Sequence, residues 1–227
     1  MVASRPYIIK QAASEDKDVT FRSIFLMGRA LFIIMSITSL PLIVYADKIL
    51  SIWLVETPNY AVSFVQLVLV WNIVRTMNTP VDLAFTAYGK MKRYQIYNSL
   101  TLLLNLPIAY IFLKFGYSFN YAMLTFVIVE VIDIAVNLII AKKEVSFDII
   151  RYLKIVILPN IFNAVAFLLI GYLFYSFLES ASILATLVYM TFLVIITLLI
   201  TFTILLSKEE KDYIYPVVLK LFNKIKK

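Results

Sequence analysis

The chain has 227 residues, of which 62% are hydrophobic and only 15% charged, with a mean hydropathy of +0.90. Soluble domains carry about 45 to 50% apolar and about 25% charged residues, so the composition excludes an ordinary globular core and points to helices in a membrane. Cysteine and histidine are both absent and there are only four glycines, which removes disulfides, thiol nucleophiles, imidazole bases, the usual zinc and haem ligands, and a glycine-rich phosphate loop.

Residues 1 to 22 are mixed in charge and too polar to span, and they lack the compact apolar core and small-residue cleavage site of a signal peptide. Apolar runs follow at about 24–46, 62–87, 95–114, 119–141, 155–178 and 182–206, each near the ~20 residues needed to cross the hydrocarbon core. The segments between them alternate in charge. Of the 21 basic residues, all but Arg29, Lys48, Arg75 and Lys114 fall in the first 22 residues, in the second and fourth connections, or after residue 206. The positive-inside rule then puts both termini in the cytoplasm, as an even number of spans also requires. The expected fold is an all-α, polytopic integral membrane bundle of six transmembrane helices.

The first span carries Arg29 about a turn from its cytoplasmic end, where a long side chain snorkels to the interface. Pro41 stands near its far end, and the following loop, with Trp53, has an apolar face suited to the outer interface.

The second span ends in the stretch WNIVRTMNTPVDLAFTAYGK, residues 71–90, which places Arg75, Pro80 and Asp82 in otherwise apolar surroundings. Read as one helix, Asn72, Arg75, Asn78, Thr79, Asp82, Thr86 and Gly89 fall along a single stripe. An ionised group at bilayer depth costs at least ~2.5 to 3.5 kcal/mol, so this stripe is expected to face a bundle interior or a water-filled cavity. Its end, AYGKMKR, reads as a cytoplasmic exit, with Gly89 making the turn.

In the third span Asn98, Thr101 and Asn105 share a face, and Pro107 frees backbone groups that a neighbour must satisfy. Interhelical hydrogen bonding is the preferred role for these uncharged groups. The fourth span repeats the spacing with Glu130, Asp133 and Asn137. Two carboxyls on one helical face are not both cheaply ionised at depth, so one is protonated or a cation is shared. Two readings of this face stand side by side: an ion pair with Arg75 that fixes helix packing, or a cavity coupled to H+ or Na+. Both bring the second and fourth spans to a common interior.

The fifth span has Pro159 two turns in, with Asn160 and Asn163 beside it, and the sixth has only Thr and Ser as polar members. Residues 207–227 form a cytoplasmic tail with Ile214, Val217, Val218, Leu221, Phe222 and Ile225 on one side of a helix and lysines on the other. This pattern fits an amphipathic helix on anionic lipid. With six spans beside it, the basic balance of +7 is expected to meet membrane lipid and not nucleic acid. No catalytic constellation stands out, and the chain is not expected to be an enzyme or to hold a cofactor or metal.

Two phrases in the chain resemble a known family. Ala87, Gly89, Lys90, Lys92, Tyr94 and Gln95 match the phrase AxGKxKxYQ, and Asn105, Leu106, Pro107, Ile108, Tyr110, Leu113, Lys114 and Gly116 match one like LLLNLPISYxxLKxG. In order and spacing they resemble the C-terminal half of bacterial polysaccharide export proteins, the Wzx-type flippases of the multidrug/oligosaccharidyl-lipid/polysaccharide exporter superfamily. The opening SRPYIIKQAASEDKD is similar to the family's exit from the first helix of its second half. The resemblance spans residues 1 to 145 and implies a fold of two helical lobes around a central cavity. It implies the turning of undecaprenyl-diphosphate-linked oligosaccharide across the bacterial cytoplasmic membrane in lipopolysaccharide, O-antigen or capsule synthesis. On this reading residues 1–206 are the second lobe, and the first lobe and glycan assembly proteins are partners.

The residues expected along the substrate or ion path are Arg75, Asp82, Glu130, Asp133, Asn72, Asn105 and Asn137. Arg75 would attract diphosphate or glycan acids, while Glu130 and Asp133 would hold a coupling cation or balance Arg75. A multidrug/cation antiporter of the same superfamily would need the same acids. A membrane-embedded glycan polymerase or transferase would need a large outer loop, and the only sizeable outer connection is residues 47–61.

Overall fold

The structure is a computed structural model that describes residues 5–13, 16–175 and 183–200. Every regular element among them is helical. Five helical stretches are long and apolar enough to cross a membrane: Lys17–Val44, Ala61–Ala87, Met91–Lys114, Phe119–Val145 and Ile149–Leu173. They correspond to the first five predicted spans. The predicted sixth span, 182–206, lies partly outside the described residues, within which Ile183–Ile200 is helical. The tail 207–227 lies outside them altogether.

Prolines set the internal breaks. The stretch expected to be one helix from Trp71 to Lys90 is two, α4 (Ala61–Thr76) and α5 (Thr79–Ala87), counted after α1 (Arg5–Ala12), α2 (Lys17–Val44) and α3 (Ala46–Trp53). Pro80 has no N–H to give and its ring crowds the carbonyl four residues back, so α4 cannot run on. Its last turn tightens instead, with Met77 N donating to Val74 O at 3.0 Å and Asn78 N to Arg75 O at 3.1 Å. Val81 N then bonds Asn78 O, which strands the carbonyl of Met77, and the Tyr152 hydroxyl donates to it. Pro107 likewise follows the break between α6 (Met91–Leu103) and α7 (Asn105–Lys114). Pro159 follows a π-helical turn at Leu153–Ile157, which separates α9 (Ile149–Tyr152) from α10 (Leu158–Tyr175); such a turn is a usual way to accommodate an obstructed ladder.

The chain divides into two compact units at residue 160. In the first, α8 (Phe119–Val145) is the hub, packing against α4, α5, α6 and α7, while α2 packs against α4 and α5. At one end of these helices Phe21, Phe25, Phe147 and Tyr152 interlock, with Phe147 edge-on to Phe25 at a centroid distance of 5.4 Å. Offset and edge-on aromatic pairs of this kind add about 0.5 to 1.5 kcal/mol each beyond area burial. The chain reaches Phe147 through Ser146, left-handed at φ 57°, with Phe147 N donating back to Ala141 O. Gly89 makes the expected turn after α5 at φ +68°. Gly28 serves a different need, since a Cβ there would lie 2.2 Å from Pro80 Cγ, so α2 crosses the α4–α5 break at closest approach.

Outward faces of this unit are apolar: Leu103, Leu106, Tyr110 and Ile139 are each more than half exposed, the inverse of a water-soluble surface but the right one for lipid. Arg29 departs from the snorkelling expectation. It is only 5% exposed, because it shares the inward face of α2 with Phe25, Gly28 and Phe32. The second unit, within its described residues, holds the rest of α10 and α11 (Ile183–Ile200), with Phe167 and Leu193 buried and Tyr172 and Leu184 exposed.

Candidate functional site

The α4–α5 break does more than interrupt a helix. It aims the polar stripe into a cavity of about 410 Å³ whose wall includes Asn72, Arg75, Asn78 and Asp82, with Asn98 from α6 and Glu130 from α8. The sequence-derived residues Asn72, Arg75, Asp82 and Glu130 therefore meet at one site.

Of the two readings of the α8 face, the direct ion pair of Arg75 with Glu130 or Asp133 does not form. Its guanidinium carbon stands 5.4 Å from the centre of the Trp71 ring, and among the described residues no carboxylate lies within salt-bridge distance of it. Trp71 is four residues before Arg75, hence on the same helix face. The indole N–H is used in the other direction, donating to Glu130 Oε2 at 2.9 Å. Cation, ring and carboxylate thus form a relay in which the indole spaces two opposite charges. The ring face is electron-rich and attracts the guanidinium, worth about 0.5 to 2 kcal/mol depending on solvation. Arg75 keeps its fork of N–H donors for an incoming acceptor, a geometry that matches phosphate or carboxylate oxygens. Phe126 packs edge-on against Trp71 and fixes the ring, with centroids 5.9 Å apart.

Beside the cavity, Glu130, Asp133 and Asn137 share the inward face of α8 as their spacing implies, and all three are buried. Asp133 is fully buried and one of its oxygens, Oδ2, accepts from Asn78 Nδ2 at 2.9 Å and Asn137 Nδ2 at 2.7 Å. Asn78 sits in the helix break, so the kink that Pro80 imposes delivers the amide that holds Asp133. Among the described residues, the second oxygen, Oδ1, and the amide oxygens of Asn78 and Asn137 have no hydrogen-bond partner in this geometry, although the Thr101 hydroxyl on α6 also approaches the Asp133 carboxyl. That arrangement is rich in acceptors and short of donors, which suits a proton or a small cation.

Asp82 reaches the cavity wall from α5 and also accepts from Arg5 Nη2 at 3.0 Å. Arg5 lies on α1, which packs against α5 and buries Ile8 beneath it. Asn105 stands apart from the cavity: it starts α7, where its Nδ2 donates to Leu102 O at 3.1 Å and helps satisfy the break before Pro107. Asn72 lines the cavity while donating to Val68 O.

Trp71, Asn78 and Arg5 are the site residues that sequence reasoning did not place in these roles. Trp71 was legible as an i, i+4 neighbour of Arg75; the bonds of Asn78 and Arg5 span 55 and 77 residues and leave no local signal. No protein-family model, curated protein or solved structure matches the chain.

Proposed function

We propose that the protein acts in transmembrane translocation of a lipid-linked oligosaccharide carried on undecaprenyl diphosphate, as one lobe of a flippase in the bacterial cytoplasmic membrane, with six spans and both termini in the cytoplasm. The observation that carries the reading is the cavity itself: an open polar cleft in a unit with apolar outer faces, on whose wall an exposed guanidinium faces no carboxylate directly. An acidic, hydroxyl-rich headgroup needs a polar path through the hydrocarbon region and a cation that does not trap it. Arg75, spaced from Glu130 by Trp71, fits that need. The acceptor-rich pocket at Asp133 supports coupling of the movement to H+ or Na+.

The test uses the chain expressed with any partner lobe in a strain that depends on it for surface glycan. Arg75→Ala and Arg75→Lys are both expected to lower export and to raise intracellular lipid-linked glycan, because Lys lacks the fork. Normal export by Arg75→Ala at normal expression would overturn the role. Asp133→Asn and Glu130→Gln are expected to alter the pH or sodium dependence of export, and unchanged dependence leaves them with structural duties alone. The two acids on the cavity wall, Asp82 and Glu130, favour one second reading, antiport of organic cations. It predicts resistance to cationic compounds with no accumulation of lipid-linked glycan.

A further inference from the structure

A second cleft, about 290 Å³, opens between α6 and α8 away from the polar cavity. One end is basic, with Arg93 and Lys143; the walls running from it are Tyr97, Val136 and Ile139. We infer that this cleft is a binding site for an anionic phospholipid, whose phosphate meets Arg93 and Lys143 while an acyl chain lies along Tyr97, Ile139 and Val136.

Position comes first. Arg93 and Lys143 stand at the start and end of the spanning stretches Met91–Lys114 and Phe119–Val145, the level at which lipid phosphates sit. From Lys143 to Val136 is seven residues of helix, about 10 Å at 1.5 Å per residue, which carries the cleft from headgroup depth into the hydrocarbon. On the α6 side of the cleft Ile96, Tyr97 and Leu100 are each close to half exposed or more.

Charge comes second. Among the described residues that line the cleft Glu144 is the one acid, and it is already engaged: Arg93 Nη1 donates to its Oε1, and Lys90 Nζ donates to its backbone carbonyl and stands 3.8 Å from Oε2. Two cations, Lys90 and Arg93, therefore share one carboxylate, and Lys143 adds a third positive charge to the same end. Among the described residues Lys143 has no carboxylate within salt-bridge distance, and Lys92 and Lys142 at the same end add to the positive field. Arg93, with a side chain 68% exposed, has four further N–H donors beyond the one given to Glu144. Glu144 orients the guanidinium without neutralising the patch. An excess of positive charge above an apolar groove matches a lipid phosphate with its chain, and not a soluble anion, which leaves the groove unused. The inference does not depend on what the polar cavity transports.

The experiment is native mass spectrometry of the purified full chain released from nanodiscs of dioleoylphosphatidylglycerol or dioleoylphosphatidylcholine. Retention of phosphatidylglycerol is expected over phosphatidylcholine. Each basic side chain near the surface contributes about a five-fold effect, so Arg93→Gln with Lys143→Gln is expected to lower phosphatidylglycerol retention by about twenty-five-fold with phosphatidylcholine unchanged. Val136→Trp, which fills the groove and leaves the charges alone, is expected to lower it too. Equal retention of the two lipids overturns the site, as does retention unaffected by either variant. Displacement of the lipid by glycerol 1-phosphate would reduce the cleft to a free-anion site, and preferential displacement by a dodecyl diphosphate would assign it to a diphosphate lipid; either result overturns the inference.

Discussion

Arg75 lies against the face of Trp71 while the edge of the same ring donates to Glu130, so one indole holds apart two charges that one of the two sequence readings would pair. The separation has an energetic consequence that single substitutions can read. Trp71→Phe keeps the ring face but removes the N–H that, among the described residues, is the one pointing at a carboxylate buried to 2% exposure. A loss of about 1 to 3 kcal/mol is expected for stranding that group, seen as a fall in thermal midpoint in detergent. In a Glu130→Leu background the same Trp71→Phe change is expected to cost much less. If the cost is the same in both backgrounds, the indole N–H does not hold Glu130.

The crossing of α2 over the α4–α5 break is set by Gly28 against Pro80. Gly28→Ala places a methyl carbon 2.2 Å from Pro80 Cγ, a clash with a closed ring that neither side chain relieves by rotating. Overpacking of this kind costs about 1 to 3 kcal/mol. Adding Pro80→Ala removes the ring atoms in the way, so the double variant is expected to be more stable than the sum of the singles, by the coupling typical of residues in contact. Additive effects in a thermal-unfolding cycle would show that the helices do not meet there.

The Arg5–Asp82 pair ties α1 to the cavity wall. With side chains 43% and 24% exposed, it is expected to contribute no more than about 1 kcal/mol to stability. Its effect on access is the more sensitive readout. Because the chain has no cysteine, Thr79→Cys introduces a single thiol on the cavity wall. Labelling by a water-soluble maleimide is expected to speed up when Arg5→Ala is added and to slow again in the swapped pair Arg5→Asp with Asp82→Arg. Equal labelling rates in all three would mean that α1 does not shield the cavity.

Much of this architecture is legible along the chain. Apolar length and composition alone mark the five described stretches that are able to cross a membrane. The periodicity of α-helix alone puts Arg75 and Asp82 on one stripe and Glu130, Asp133 and Asn137 on another. The prolines that break the helices were visible too, although the stretch 71–90 reads as continuous until Pro80 is weighed against the carbonyl it obstructs. Arg29 shows the limit of such reasoning, because its distance from a helix end fits snorkelling as well as burial, and only the face it occupies decides.

The tertiary structure decided which faces meet. Trp71 with Glu130, Asn78 with Asp133 and Arg5 with Asp82 are bonds across 59, 55 and 77 residues, and nothing in a helical repeat specifies the rotation and crossing of one helix on another. Those depend on close packing, here on the bare Cα of Gly28 and the ring of Pro80, whose fit sets how α2 lies on the kink. The sequence by itself determined that charge at bilayer depth had to turn away from lipid, which offers it no solvation. Packing determined that Arg75 would find an aromatic face there in place of a carboxylate.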